Sequence, residues 1–416
     1  MAKIDLTMLL FLLPFGLSAT EQPANSATDS VTFSSNRSHP PDPGYADYAS
    51  TRGGVEIVSD DGEFSAALGG RLLLDAAYYD EDKNSLGNGT ELRSARLEME
   101  GRIYTDTVYK LSIDFADGDA EMNDAWLAYD AHYPWRFTLG HFKVPFSLEE
   151  LTSRKHLTFM ERALPNALAP GRNMGLGLHW YGEQLTVAAA VFGDDYNDDS
   201  DDEGDEGWGG SARLTYTPLS TERSVVHFGL SSSYRKLDDE EVYRVDSHPE
   251  SHLTDIRYLD TGKIQQSKKV TLLGFEGAWV YGETSLQGEW IASSLARNSE
   301  ADIEFSGWYL QASWFPTGES RHYTSQQAKF SRLKPLSDQG ALELAVRYST
   351  LDLNDQDVQG GSSEQISFGV NWYYKTQLRF MMNYILVNND RYADADGDVA
   401  IEDKPKIFQL RAQADF

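Results

Sequence analysis

From Phe64 to the last residue, apolar and polar side chains alternate in short runs. Leu68, Gly70, Leu72, Leu74, Ala76 and Tyr78 fall on one face, and Arg71 and Asp75 on the other. Leu97, Met99, Gly101 and Ile103 oppose Arg96, Glu98, Glu100 and Arg102, and Ile366, Phe368, Val370, Trp372 and Tyr374 oppose Gln365, Ser367 and Asn371. The last run sets Phe408, Leu410, Ala412, Ala414 and Phe416 against Gln409, Arg411, Gln413 and Asp415. A period of two predicts strands with one apolar face. Sixteen candidate strands emerge, starting with 63–80, 92–104, 107–117, 121–131 and 135–143 and ending with 404–416. Ten residues at about 3.3 Å each, tilted about 45°, rise roughly 23 Å, close to the apolar band of an outer-membrane barrel. Aromatic residues gather near strand ends at Tyr78-Tyr79, Trp308-Tyr309, Trp314-Phe315 and Trp372-Tyr373-Tyr374, as they do at membrane interfaces. The fold class expected is therefore all-β, a transmembrane antiparallel β-barrel of about sixteen strands spanning residues 55–416.

One long stretch, 142–180, begins without this period. Ser147 and Glu150 have capping-box spacing. Leu148, Leu151, Leu157, Met160 and Leu164 recur at roughly helical intervals, and Pro165 followed by Ala169-Pro170-Gly171 ends the pattern. We expect a short helix on a loop folded into the lumen, narrowing it.

The amino terminus reads as separate. Residues 1–20 carry Lys3, the apolar run Met8–Leu13 and then Ser18-Ala19, the layout of a secretory signal peptide. Residues 21–54 are rich in Ser, Asn, Pro and Asp and read as a disordered periplasmic leader. No later run is apolar and long enough for a spanning helix.

Composition removes several chemistries. The chain has no cysteine, which excludes disulfides and thiol catalysis. A formal net charge of −29 argues against nucleic acid as a partner. There is no G-x-x-x-x-G-K-[ST] loop and no G-x-S-x-G elbow. Nothing nominates a catalytic residue or a cofactor, so an enzyme is not expected. His248 and His252 are four apart, but Pro249 opposes the helix that such spacing needs to hold a metal, so no metal is expected. Asp194–Glu206 and Asp394, Asp396 and Asp398 read as charged external loops, with Gly397 misplaced for a calcium loop.

Val144–Pro165 followed by Ala169–Leu178, together with blocks at Val225–Leu230, Phe275–Trp279, Ala328–Pro335 and Gly369–Tyr373, resembles the phosphate-selective porin O and P family. The resemblance implies a sixteen-stranded homotrimeric porin in the bacterial outer membrane, surrounded by lipid and passing small anions of the phosphate and polyphosphate class. The terminal Phe416 resembles the signal read by the barrel-assembly machinery. The family implies a lumen arginine ladder, with Arg71, Arg93, Arg96, Arg102, Arg347 and Arg379 as candidates, and a basic constriction, with Lys155, Arg154, Arg162 and Arg172 as candidates. A ring of such groups at a narrow point favours anions, and the planar fork of Arg suits phosphate. Two positions depart from the family pattern: Arg93-Ser94-Ala95-Arg96 keeps only the first of two adjacent arginines, and Glu150 stands where a lysine is expected. From Lys143 to Arg172 five basic residues face three acidic ones, net +2. Two other readings stay open: a general or cation-preferring porin of the same fold, and a surface β-protein that binds a ligand and forms no pore.

Overall fold

In the computed structural model the described residues are 55–416, except 105, 117, 194–206, 238–241 and 394–399. The predicted leader segments and both acidic loops lie wholly or almost wholly outside the described residues.

Sixteen long strands form the wall. They are β1 (Phe64–Asp80), β2 (Gly89–Ile103), β3 (Thr107–Asp114) and β4 (Glu121–Tyr129). Next come β5 (Trp135–Lys143), β6 (Arg172–Tyr181), β7 (Leu185–Phe192) and β8 (Trp208–Ser220). Then follow β9 (Ser224–Lys236), β10 (Ser267–Tyr281), β11 (Thr284–Arg297) and β12 (Ile303–Trp314). The last are β13 (Ala341–Asp355), β14 (Val358–Lys375), β15 (Leu378–Asn389) and β16 (Lys406–Asp415). Each pairs antiparallel with its sequence neighbours, and β16 closes the barrel on β1 with Arg71 opposite Asp415 and Asp75 opposite Arg411. Phe416 completes the closure: its backbone N–H donates to the Gly70 carbonyl at 3.1 Å, and its own carbonyl accepts from Gly70 N at 2.8 Å. Closure leaves the wall without a free edge, the condition for crossing lipid with strands.

The alternation sorts as the period predicts. Leu68, Leu72, Leu74 and Tyr78 are exposed, while Arg71 and Asp75 are buried on the inner side. Tyr129, Trp135, Tyr281, Trp314, Trp372 and Tyr374 are exposed near one rim, where amphipathic rings suit a membrane interface. That rim also carries short turns, such as Gly182–Gln184, Thr221–Arg223 and Gly282-Glu283. Short turns mark the periplasmic side of such barrels. The connection at 315–340 breaks this rule, being long and carrying a small pairing of Tyr323 with Phe330.

On the opposite rim several connections are long. Residues 144–171 contain α1 (Leu148–Leu151), followed by two short 3-10 turns, Arg154–His156 and Leu164–Leu168. This corrects the expectation of one helix running on toward Pro165. Ser147 does cap α1, its Oγ accepting from Glu150 N at 3.1 Å. Beyond Leu151 the backbone groups bond to side chains of the wall instead of to one another. Arg379 Nη1 donates to the Leu157 carbonyl at 2.7 Å, Met160 N to Asn383 Oδ1 at 2.9 Å, and Leu164 N to Ser349 Oγ at 2.9 Å. Arg347 donates to the Glu161 carbonyl at 3.1 Å and Gln413 Nε2 to the Lys155 carbonyl at 3.0 Å. Buried backbone groups must find partners; here polar wall side chains supply them, so a helix is not required. The helically spaced leucines also part company. Leu148 packs with Val225, Val280, Tyr323 and Phe330, whereas Leu164 and Leu168 pack with Ile291, Leu295, Phe305 and Leu351.

Candidate functional site

The wall and this loop enclose a cavity of about 630 Å³. Strands β1–β6 supply one side, and Lys143, Glu150, Ser153–His156 and Arg162 the other, with Lys329 and Arg332 reaching in from the 315–340 connection. Twelve Lys and Arg side chains line it against six carboxylates, a net +6 with histidines neutral. The cavity is therefore cationic inside a chain of −29.

Most of these cations are paired. Arg71 donates to Ser94 Oγ at 2.9 Å and lies 3.8 Å from Asp114, and Arg96 reaches the same carboxylate at 3.1 Å. Arg93 grips both Glu161 oxygens at 3.0 and 3.1 Å. Lys155 Nζ sits 3.3 Å from Glu98, whose carboxylate is also 3.7 Å from Lys110. Arg172 grips Asp124 with both bonds at 3.1 Å. Glu150 is held by Lys143 at 2.7 Å, Arg162 at 3.3 Å and Asn166 at 3.0 Å. Burial pushes the Glu150 carboxyl up, but Arg162 and Lys143 overcome this and bring it down to about 2. The acidic residue at the position where lysine was expected is thus cancelled by two basic neighbours.

Arg154 differs from the other lining cations. Among the described residues its guanidinium makes no hydrogen bond or ion pair, and its Nε is buried without a partner. It lines the cavity on the 3-10 turn Arg154–His156, beside Ser153 and Lys155. An unpaired buried donor is costly, so this group is the one best placed to take an acceptor from outside the protein.

The structure thus brings Arg71, Arg93, Arg96, Arg154, Lys155, Arg162 and Arg172 around one cavity. It does not bring the other three candidates there. Arg102 lies toward the periplasmic end and faces Asp130 at 3.5 Å. Arg347 is buried against the Phe159 ring, 3.5 Å from Glu149 and 2.5 Å from Glu250. Arg379 holds the Leu157 and Thr158 carbonyls and lies over Tyr373. These last two bind the loop to the wall. The sequence reading missed Lys329 and Arg332, because they lie on a connection with no period. Lys110 and Lys143, which also line the cavity, sit where the alternating strand pattern turns polar side chains inward.

A model of the family described as phosphate-selective porin O and P matches residues 67–416. The chain belongs to the phosphate-selective porin O and P family. It is an outer-membrane porin of bacteria, a channel fold and not an enzyme. Among relatives of this porin, Porin O of Pseudomonas aeruginosa is 29% identical, with 84% of this chain and 88% of that protein covered. An uncharacterized protein of Caulobacter vibrioides is 30% identical over 81% of this chain and 71% of its own length. Solved structures share the porin's architecture at low identity. The anion-selective porin from Comamonas acidovorans has a TM-score of 0.56 at 14% identity, covering 85% of this chain and all of that one. The trimer form of OmpT from Vibrio cholerae has a TM-score of 0.54 at 13% identity, covering 85% of this chain and 99% of that one.

Proposed function

We propose that this porin passes small hydrophilic anions by passive diffusion, with phosphate and polyphosphate as the favoured class, and that the 144–171 loop is its constriction. The observation that carries the reading is the unpaired Arg154 guanidinium on the wall of a cavity with a net +6 lining. A planar fork matches two phosphate oxygens. At about 4 Å a unit charge pair is worth roughly 1 kcal/mol in water and about 4 near a protein surface, enough to bias transit without trapping the ion. The anion selectivity named for the Comamonas acidovorans porin agrees with this reading. We take the protein as a homotrimer, on the likeness to OmpT in its trimer form, with its exposed apolar band against lipid and Phe416 as the handle for barrel assembly. Residues 1–20 serve as the export signal and 21–54 as a leader.

A second reading has its own observation. Every other lining cation has an interaction partner, so pairing cancels much of the positive field, as in a general diffusion pore. The two readings separate in the reversal potential of purified protein across a KCl gradient. An anion-selective potential, with current reduced by added phosphate in wild type but not in Arg154→Ala, supports the first. A potential near zero, or cation-selective, in wild type supports the second.

A further inference from the structure

The connection between β9 and β10 brings His252 to the lining of the cavity. Pro249 prevents a helix there, yet the structure brings His248 and His252 together without one. Glu250 takes a left-handed φ of 48°, and its N–H donates to the His248 carbonyl at 2.9 Å. A non-glycine residue in that region needs firm support. Here Arg347 and Ser367 Oγ bind the Glu250 carboxylate at 2.5 and 2.8 Å, and Gln409 Nε2 donates to its carbonyl at 3.1 Å. This tight turn sets the two imidazole centres 5.8 Å apart. His252 Nδ1 lies 2.9 Å from a Glu91 oxygen. In the neutral tautomer that donates this bond from Nδ1, Nε2 offers its lone pair. His248 Nδ1 and the second Glu91 oxygen are buried with no partner.

We propose that His248 and His252 form a two-imidazole site for a zinc-class divalent cation at the mouth of the cavity. Imidazole nitrogen suits late first-row divalent metals. Two rings on one tetrahedral metal, with bonds of about 2.0–2.1 Å, place their centres about 5 Å apart, so a small approach of the two rings closes the site. Glu91 plays the part of the carboxylate that orients a metal-bound histidine through its other nitrogen. Among the described residues no three His, Asp or Glu side chains group closely enough to hold a metal, so water completes the coordination and binding is modest. His252 also lines the cavity, which puts the bound cation beside the path of the solute. The inference does not depend on which ions the pore prefers.

The test is calorimetric titration of Zn²⁺ into purified, folded full-length protein in excess Mg²⁺, which occupies carboxylate loops and leaves imidazoles free. The expected result is one Zn²⁺ per chain, at least tenfold weaker in His248→Asn and in His252→Gln, and roughly tenfold weaker in Glu91→Gln, the scale of a lost orienting partner. Heat-dependent migration of each variant on gels verifies that its barrel is folded. No Zn²⁺ binding by wild type, or binding unchanged in both histidine variants, overturns the proposal. A Zn²⁺ effect on channel current that persists in both variants overturns it as well.

Discussion

At the scale of single residues, the cavity separates cations that are charge-balanced from one that is not. Family resemblance makes Lys155 and Arg154 both candidates, yet Lys155 rests on Glu98 while Arg154 is open. Arg154→Ala should therefore lower the anion-to-cation permeability ratio more than Lys155→Ala, by several-fold if roughly 1–2 kcal/mol of the interaction is lost. Reversal potentials of the two variants under one KCl gradient give the comparison directly. Lys155→Glu should act more severely than either neutral change, because it sets a second carboxylate against Glu98. Which arginines face inward was legible from strand period alone, as Arg71 and Arg96 illustrate. Which of them remain free was not, since pairing depends on side chains brought together from distant segments. Glu161 meets Arg93 across 68 residues of sequence, and no local pattern encodes that.

At the scale of elements, the 144–171 loop is held by arginines from the wall more than by its own short helix. Arg411 donates to Asp75 at 2.7 and 2.6 Å, to Glu161 at 2.8 Å and to the Met160 carbonyl at 2.5 Å. Removing one partner of a buried ionic cluster costs about 3–5 kcal/mol. Arg411→Ala should accordingly lower the temperature at which the barrel loses its folded gel mobility, and should raise single-channel conductance as the loop loosens. A smaller cut, Asn383→Ala, leaves Met160 N without its acceptor and should raise conductance at a cost of about 1–3 kcal/mol of stability. The Glu150 clamp gives a pH dependence. Its folded pKa of about 2 lies below the usual value near 4.3, so its contribution is complete above about pH 4.3 and is lost as pH falls toward about 2. Conductance should thus hold steady between pH 7 and about 4. The loop's position outside the strand pattern was legible, and so was its Ser147 cap. The short helix expected there is confined to Leu148–Leu151 and stops well before Pro165. The leucine spacing that suggested it serves two separate packing clusters, and wall side chains satisfy the backbone that a helix would otherwise have satisfied.

At the scale of the whole molecule, the strand period was informative enough to place all sixteen wall strands, with 135–143 matching residue for residue. Inside and outside are chemically opposed in a membrane barrel, so the alternation is enforced along nearly every strand. The 315–340 connection has no such constraint, and its inward reach, with Phe330 packed on Leu148, left no trace in the sequence pattern. Charge shows the same separation of scales. The chain carries −29 overall, but charges more than about 8 Å away are screened at physiological salt, so the groups around the cavity, not the chain total, set its field. Anion preference should therefore weaken as salt rises from about 0.1 to 1 M, where the screening length falls to about 3 Å. The measurement that tests the account most directly is the reversal potential of wild-type protein in a planar bilayer under a KCl gradient, followed by addition of phosphate. A cationic constriction gives an anion-selective potential and a current that falls as phosphate is added. A cation-selective or zero potential, with current indifferent to phosphate, would contradict it.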